Sequence, residues 1–374
     1  MNIGIITYHR AENYGSALQA YALNKTIQLL NKNYKVETID YSNSIQQAIY
    51  KIFHPIHGIM DIARNFHSLI YYRSLQKKKT RFQSFINQYI PLSNFNGSDK
   101  KRLKEYASKY DIVICGSDQI WNIHCWDFDE SYMLDFVNSP TIKISYAPSL
   151  GLSSFSDRES MLYKKYLHDF SFISVREQQG ADFLKCILNR DIKVVLDPVF
   201  LLSAKQWNDI ATNAASMSLP SQYILCYFIG EISGMRKFAK RLSKQTNLPI
   251  ILIIKNLRDI FSFNKTRFSA GPLEFIHLIL NAKYVVTDSF HAVSFSLLFH
   301  KIFWVFTANG IEGEKKPNAR IEHILSLSNL NDRNMNVSNY MNKINLDLNF
   351  QYSDTIIEKY RNDSLEYLKQ ALNF

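Results

Sequence analysis

Short apolar runs bounded by turn residues alternate with stretches of helical periodicity along most of the chain, which predicts layered α/β structure. Ile3–Tyr8 reads as an opening strand, followed by a helix capped at Ser16 and running to Leu30, with Leu18, Ala22, Leu23, Ile27 and Leu30 on one side. Val36–Asp40, Asp111–Cys115, Lys143–Ala147, Phe172–Val175 and Lys193–Leu196 predict further strands, the last stopping at Asp197-Pro198. The turn-rich stretch Ser218–Ser221 suits a linker. Beyond it, strands at Tyr223–Ile229, Pro249–Ile254, Tyr284–Thr287 and Ile302–Phe306 alternate with helices at about 233–246 and 272–281. Ser353–Leu372 predicts a closing helix that packs back on the domains. The expected fold is α/β, two Rossmann-like domains facing a cleft. Their bounds are 1–217, with a basic helical insert at about 51–104, and 218–352; the terminal helix spans 353–374.

Composition agrees with two packed domains. Of 374 residues, 46% are hydrophobic and 21% charged, which excludes a disordered chain. Cys115, Cys125, Cys186 and Cys226 form no C-x-x-C pair, and no His/Cys cluster has ligand spacing, so no metal site is expected. The opening apolar run turns polar at His9-Arg10, unlike a secretory signal. The late apolar stretch Val293–Phe306 is interrupted by His300 and Lys301 and is too short to span a bilayer. These features lead us to expect a cytoplasmic protein.

The net charge of +11 is unevenly placed. Residues 51–104 carry eleven Lys/Arg against Asp61 and Asp99, a local +9. Ile52, Phe53, Ile56, Ile59, Met60, Ala63, Phe66, Leu69 and Ile70 recur there at helical spacing. Such a segment suits peripheral contact with an anionic membrane or attraction of a diphosphate-bearing substrate. It equally suits a solvated helical hairpin packed on its own domain. Because the charge is confined to one segment and no nucleic-acid-binding module is recognisable, no nucleic acid partner is expected.

Ligands in open α/β sheets sit beyond the carboxyl ends of strands, so polar groups there are the candidates. The first turn offers Arg10, Asn13 and Gly15; its single glycine matches neither a dinucleotide fingerprint nor a P-loop. A second strand ends in Gly116-Ser117-Asp118-Gln119, followed by Trp121-Asn122, and a third in Arg176-Glu177. Tyr284–Thr287 ends in Asp288-Ser289-Phe290-His291-Ala292, with a helix to follow. A His in the first turn of that helix lies where N–H groups and the dipole favour an anion, and it could move a proton. Structural readings stand beside these. Asp118 could cap a helix opening at Gln119, Arg176 and Glu177 could pair with one another or with surface charges, Asn13 and Gly15 could shape the turn, and Trp121 could fill the core or stack on a sugar.

The strings Tyr8–Leu23, Gly116–Asn122, Ser145–Gly151, Ile173–Glu177, Leu196–Pro198, Gly271–Phe275 and Thr287–Ala292 occur in order along the chain. Together they resemble the polysaccharide pyruvyl transferase family. The resemblance implies a GT-B-like fold, with an acceptor side in the N-terminal domain and a donor side in the C-terminal one. It implies phosphoenolpyruvate as donor substrate, no cofactor, and a pyruvate ketal across two hydroxyls of one sugar. The acceptor would be a glycan or lipid-diphosphate-linked saccharide of a surface polysaccharide, met at the inner face of the cytoplasmic membrane. The family's catalytic His falls on His291 and its donor-binding Arg on Arg176. Ser289 and Phe290 depart from the basic and aliphatic pair of some relatives, so a donor cation is expected from Arg320 or Arg10. The chemistry needs an acid, a base and cations, for which His291, Asp118 and Arg176 are the candidates. Ser117 and Gln119 would line the substrate. A GT-B glycosyltransferase using a nucleotide sugar is the alternative activity; a basic nucleic-acid-binding protein or a non-catalytic scaffold is the alternative of another class.

Overall fold

A computed structural model describes residues 1–56, 58–151, 154–230, 232, 234–253, 267–307, 319–336 and 339–373. Residues 233 and 254, at the ends of an expected helix and strand, lie outside them. The chain divides into two compact units. One comprises Met1–Lys51, Gln83–Leu202 and Glu358–Phe374, the other Ile52–Phe82 and Ser203–Ile357.

In the first unit, strands β1 (Asn2–Ile6), β2 (Lys35–Tyr41), β3 (Leu92–Gly97), β4 (Ile112–Cys115) and β5 (Ile142–Ser145) form a parallel sheet in the order β3-β2-β1-β4-β5. β6 (Ser174–Val175) and β7 (Lys193–Val194) pair separately. The helices here and between these strands are α1 (Tyr14–Leu30), α2 (Ser44–Ile49), α3 (Ile59–Ile70, in the second unit), α4 (Tyr72–Tyr89), α5 (Lys100–Ala107), α6 (Asp157–Leu167) and α7 (Gln178–Leu188). Alternation along the strands feeds two core layers. Ile3, Ile5, Ile112 and Ile114 pack with Leu23 and Ile27 of α1 and with Leu368 and Ala371 near the end of the chain. Ile6, Val113 and Cys115 pack on the opposite face with Leu103, Tyr163 and Leu184.

The second unit repeats the plan. β8 (Ile224–Tyr227), β9 (Ile250–Ile253), β10 (Arg267–Phe268), β11 (Tyr284–Thr287), β12 (Ile302–Phe306) and β13 (Asn334–Met335) form a parallel sheet ordered β10-β9-β8-β11-β12-β13. Its helices include α8 (Ala204–Ala211), α9 (Met235–Thr246), α10 (Pro272–Asn281), α11 (Phe290–Leu298) and α12 (Ala319–Leu327); α13 (Gln351–Leu372) ends the chain. In both sheets the first strand lies between the second and the fourth. The order therefore reverses between β1 and β4, and again between β8 and β11. Ligands in open α/β sheets bind outside the strand ends at such reversals.

Three differences from the sequence reading have physical causes. The division falls at 202/203 rather than 217/218, because Trp207 of α8 packs edge-on against Phe295 and the Ala215 N–H donates to Glu274. The stretch 51–104 is not helical throughout: Leu92–Gly97 forms the edge strand β3, with Ser93 and Phe95 buried and Asn94 and Asn96 outward. Its polar residues hid that alternation. Finally, α1 starts at Tyr14 with Asn13 as its cap, ahead of the expected Ser16.

Candidate active site

β1 ends at Ile6, and the chain turns into α1 through residues held by Asp40 of β2. The Arg10 guanidinium donates through Nε (2.7 Å) and Nη2 (2.5 Å) to the two oxygens of that carboxylate. Buried His9 sits between the same carboxylate, 2.9 Å from Nε2, and the Thr7 carbonyl, 3.1 Å from Nδ1. Burial alone would favour the neutral acid of Asp40. The hydrogen bonds and charges of Arg10 and His9 outweigh it and hold the group well below the usual carboxylate range. Asn13 closes the turn: its Oδ1 accepts from the Gly15 N–H at 2.9 Å. Asn13 and Gly15 thus build the helix start, and Arg10 is committed to Asp40.

Across the reversal, β4 runs into Gly116, where φ is 131° and a Cβ would lie 2.0 Å from the Tyr146 carbonyl oxygen. Only glycine fits there. Gln19 of α1 bridges the two strand ends. Its Oε1 accepts from the Ser117 N–H (2.9 Å), and its Nε2 donates to Thr7 Oγ1 (2.8 Å). Thr7 Oγ1 donates to the Ser117 carbonyl at 3.2 Å, and Ser117 Oγ donates to the Ala147 carbonyl at 2.7 Å. Asp118 follows with φ 71° and little exposure. Its carboxylate accepts from Ser16 Oγ and from the Gln119 N–H (2.9 Å), and lies 4.0 Å from Nη2 of Arg176.

Two of the structural readings are corrected here. No helix opens at Gln119, so Asp118 caps a turn rather than a helix. Arg176 does not pair with Glu177 but donates to Asp197, whose side chain is fully shielded. Glu177 instead accepts from Ser149 Oγ (2.9 Å) and the Leu150 N–H (2.8 Å), tying down the 147–151 loop. Trp121 is a core residue, with Nε1 donating to the Tyr132 carbonyl at 3.1 Å. The first unit therefore assembles Ser16, Gln19, Ser117, Asp118, Arg176 and Asp197 into one buried polar network at the strand ends. Sequence reasoning missed Ser16, Gln19 and Asp197 as members. Ser16 and Gln19 are spaced i, i+3 on α1, which puts them on one side, but nothing local says that this side faces a strand end.

In the second unit, β11 leads into a rigid turn. Thr287 Oγ1 donates to the Tyr227 carbonyl (2.6 Å), and the Asp288 carboxylate accepts from the N–H groups of Ile229 and Gly230 at 2.6 Å each. The ends of β8 and β11 are thus joined at the reversal. Ser289 caps α11, its Oγ accepting from the Ala292 N–H at 3.3 Å. Phe290 and His291 fill the first turn of α11, with ring centroids 5.1 Å apart and edge to face. His291 is 6% exposed. The Arg320 guanidinium, from α12, lies 5.7 Å from the centre of the Phe290 ring. This unit therefore brings Ser289, Phe290, His291 and Arg320 together: an imidazole and a guanidinium at a helix start whose dipole favours anions. Gly271-Pro272 starts α10, where buried Glu274 accepts from the Gly271 N–H at 2.8 Å and lies 3.3 Å from Nε of Arg81. Arg81, one of the basic-segment residues, is thereby tied to the second unit. Among the described residues, no group of three or more His, Cys, Asp and Glu is placed to hold a metal ion.

Comparison with known proteins adds three findings. The sequence pattern of the family described as polysaccharide pyruvyl transferase matches residues 13–309. No curated protein matches the chain. Among solved structures, UDP-GlcNAc 2-epimerase of Methanocaldococcus jannaschii, in complex with UDP-GlcNAc and UDP, is similar over 100% of this chain and 99% of its own, with TM-score 0.51 and 14% identity. A putative UDP-N-acetylglucosamine 2-epimerase of Listeria monocytogenes is similar over 99% and 91%, with TM-score 0.54 and 10% identity. These likenesses show the fold, which is that of GT-B proteins.

Proposed function

Because this chain belongs to the polysaccharide pyruvyl transferase family, we propose that it moves pyruvate from phosphoenolpyruvate onto a sugar of a surface polysaccharide precursor, closing a ketal across two hydroxyls. The acceptor in this reading is a lipid-diphosphate-linked saccharide at the inner face of the cytoplasmic membrane. The observation that carries the reading is the placement of His291 in the first turn of α11, with Arg320 over the neighbouring Phe290.

The chemistry asks for these residue types. A proton from the His291 imidazole goes to the methylene carbon of phosphoenolpyruvate, leaving an oxocarbenium-like carbon that one sugar hydroxyl attacks. That hydroxyl gives up its proton. Phosphate then leaves with the C–O bonding pair, and the second hydroxyl attacks, losing its own proton to close the ketal. Arg320 and the α11 N–H groups would balance the donor's carboxylate and phosphate charge. Asp118 is assigned as the base for the hydroxyl, with Ser16 and Gln119 fixing its carboxylate. Ser117 and Gln119 shape the strand-end loop beside it. Arg176, anchored on Asp197, is assigned to hold that group in place rather than to grip the donor.

Donor binding tests the reading. Phosphoenolpyruvate should raise the melting temperature, and His291→Gln should leave that shift in place while abolishing turnover. Stabilisation by UDP-sugars with no response to phosphoenolpyruvate would favour nucleotide-sugar glycosyl transfer instead.

A further inference from the structure

Surface helices ordinarily turn their apolar stripe to the core and their polar side to water. Helix α3 does the reverse. Ile59, Ile62, Phe66 and Ile70 recur at i, i+3, i+7 and i+11 on one stripe, and they are 86%, 53%, 63% and 59% exposed. Met60 and Leu69 flank the stripe and are exposed as well. The opposite side, where Asp61, Asn65 and Ser68 lie, is the shielded one. Ser68 is buried, and Asn65 pins the preceding turn by accepting from the His54 N–H (2.9 Å) and donating to the His54 carbonyl (2.8 Å). Exposed Ile56 and the stacked pair Phe53 and Tyr72, 5.9 Å between centroids, lie in the adjoining segments. A contiguous apolar surface of this kind marks an interaction site.

We infer that α3 and the start of α4 form a docking surface for an anionic lipid bilayer, with α3 lying in the plane of the interface. Charge selects this occupant. Between Ile52 and Phe82 stand Arg64, Arg73, Lys77, Lys78 and Lys79, with Asp61 the one acidic residue of that stretch, while Arg81 is taken up by Glu274. A second copy seated on the same patch would bring like charge against like. A leaflet carrying anionic headgroups supplies the opposite charge together with an apolar layer for the stripe. The mode is peripheral: among the described residues, no helix is long and apolar enough to cross a membrane. The inference is independent of the pyruvyl-transfer reading, because binding is measured with neither donor nor acceptor present.

The test is co-sedimentation of the full chain with vesicles of mixed phosphatidylglycerol and phosphatidylcholine, and with vesicles of phosphatidylcholine alone. The wild-type protein should pellet with the anionic vesicles at low salt and be released as salt rises. Ile62→Ser with Phe66→Ser should abolish binding without lowering the melting temperature, since both side chains are exposed rather than packed in a core. Changing Lys77, Lys78 and Lys79 together to Gln should weaken binding by about tenfold or more. Wild-type protein that stays in the supernatant at low salt would overturn the inference. So would undiminished binding by the double Ser variant, or light scattering showing that this variant splits a wild-type dimer, which would make a second copy the occupant.

Discussion

Arg176, at the end of β6, donates to the carboxylate of Asp197, just beyond β7, and both side chains are withdrawn from water. The same guanidinium reaches within 4.0 Å of Asp118, so two carboxylates from different strand ends share one cation. Removing one partner of a buried ion pair leaves the other charge uncompensated, at a cost of about 3–5 kcal/mol. Arg176→Ala should therefore lose that much stability in urea unfolding. Arg176→Lys, which keeps the charge but not the planar fork, should lose less. If instead Arg176→Lys melts like the wild type and raises only the phosphoenolpyruvate KM, the residue grips the donor.

His291 carries the opposite expectation. His291→Gln should cut kcat by about 100-fold or more while the melting temperature stays close to that of the wild type. Arg320→Ala should act mainly on the donor KM, as expected for a cation that balances the donor's charge. Turnover near the wild-type rate in His291→Gln would remove that imidazole from proton transfer.

Gly116 tests the backbone of the site. Its φ of 131° and the 2.0 Å approach of a Cβ to the Tyr146 carbonyl oxygen leave no room for a side chain. Gly116→Ala should cost about 4 kcal/mol or more and disturb the Ser117–Gln119 loop. A fully stable Gly116→Ala protein would mean that the loop adopts another course.

Asp40 links the first turn to pH. Its native carboxyl titrates well below the ordinary Asp value, so in that interval the unfolded chain binds more protons than the folded one. The stabilisation is present in full above about pH 4 and is lost as pH falls below it toward the depressed native value. Chemical unfolding at several acidic pH values should show a shallower acid slope for Asp40→Asn than for the wild type. Identical slopes would exclude Asp40 as a source of acid sensitivity.

Much of the fold was legible because its strands are continuous apolar runs. Ile112–Cys115, Tyr284–Thr287 and Ile302–Phe306 end in the structure where their apolar character ends. The GT-B arrangement followed from ordered motifs rather than periodicity. The strands that escaped notice, β3, β10 and β13, are polar or only two residues long and hold to their sheets by backbone pairing. At the site, Asp118 and His291 were legible as polar residues following apolar runs. Their partners were not, because Gln19 reaches Ser117 across 98 positions and Ser16 reaches Asp118 across 102. Contacts of that separation are set by strand order, which no local pattern encodes. The outward stripe of α3 was visible as periodicity, but a hydrophobic pattern says nothing about which side of a helix meets water.

The most direct measurement of the central claim is mass spectrometry of lipid-diphosphate-linked saccharides after incubation with the purified protein and phosphoenolpyruvate. Pyruvyl transfer predicts a mass gain of one pyruvate ketal, matched by release of one phosphate and absent with His291→Gln. An acceptor that stays unchanged with phosphoenolpyruvate yet gains a sugar from a nucleotide sugar would contradict the account.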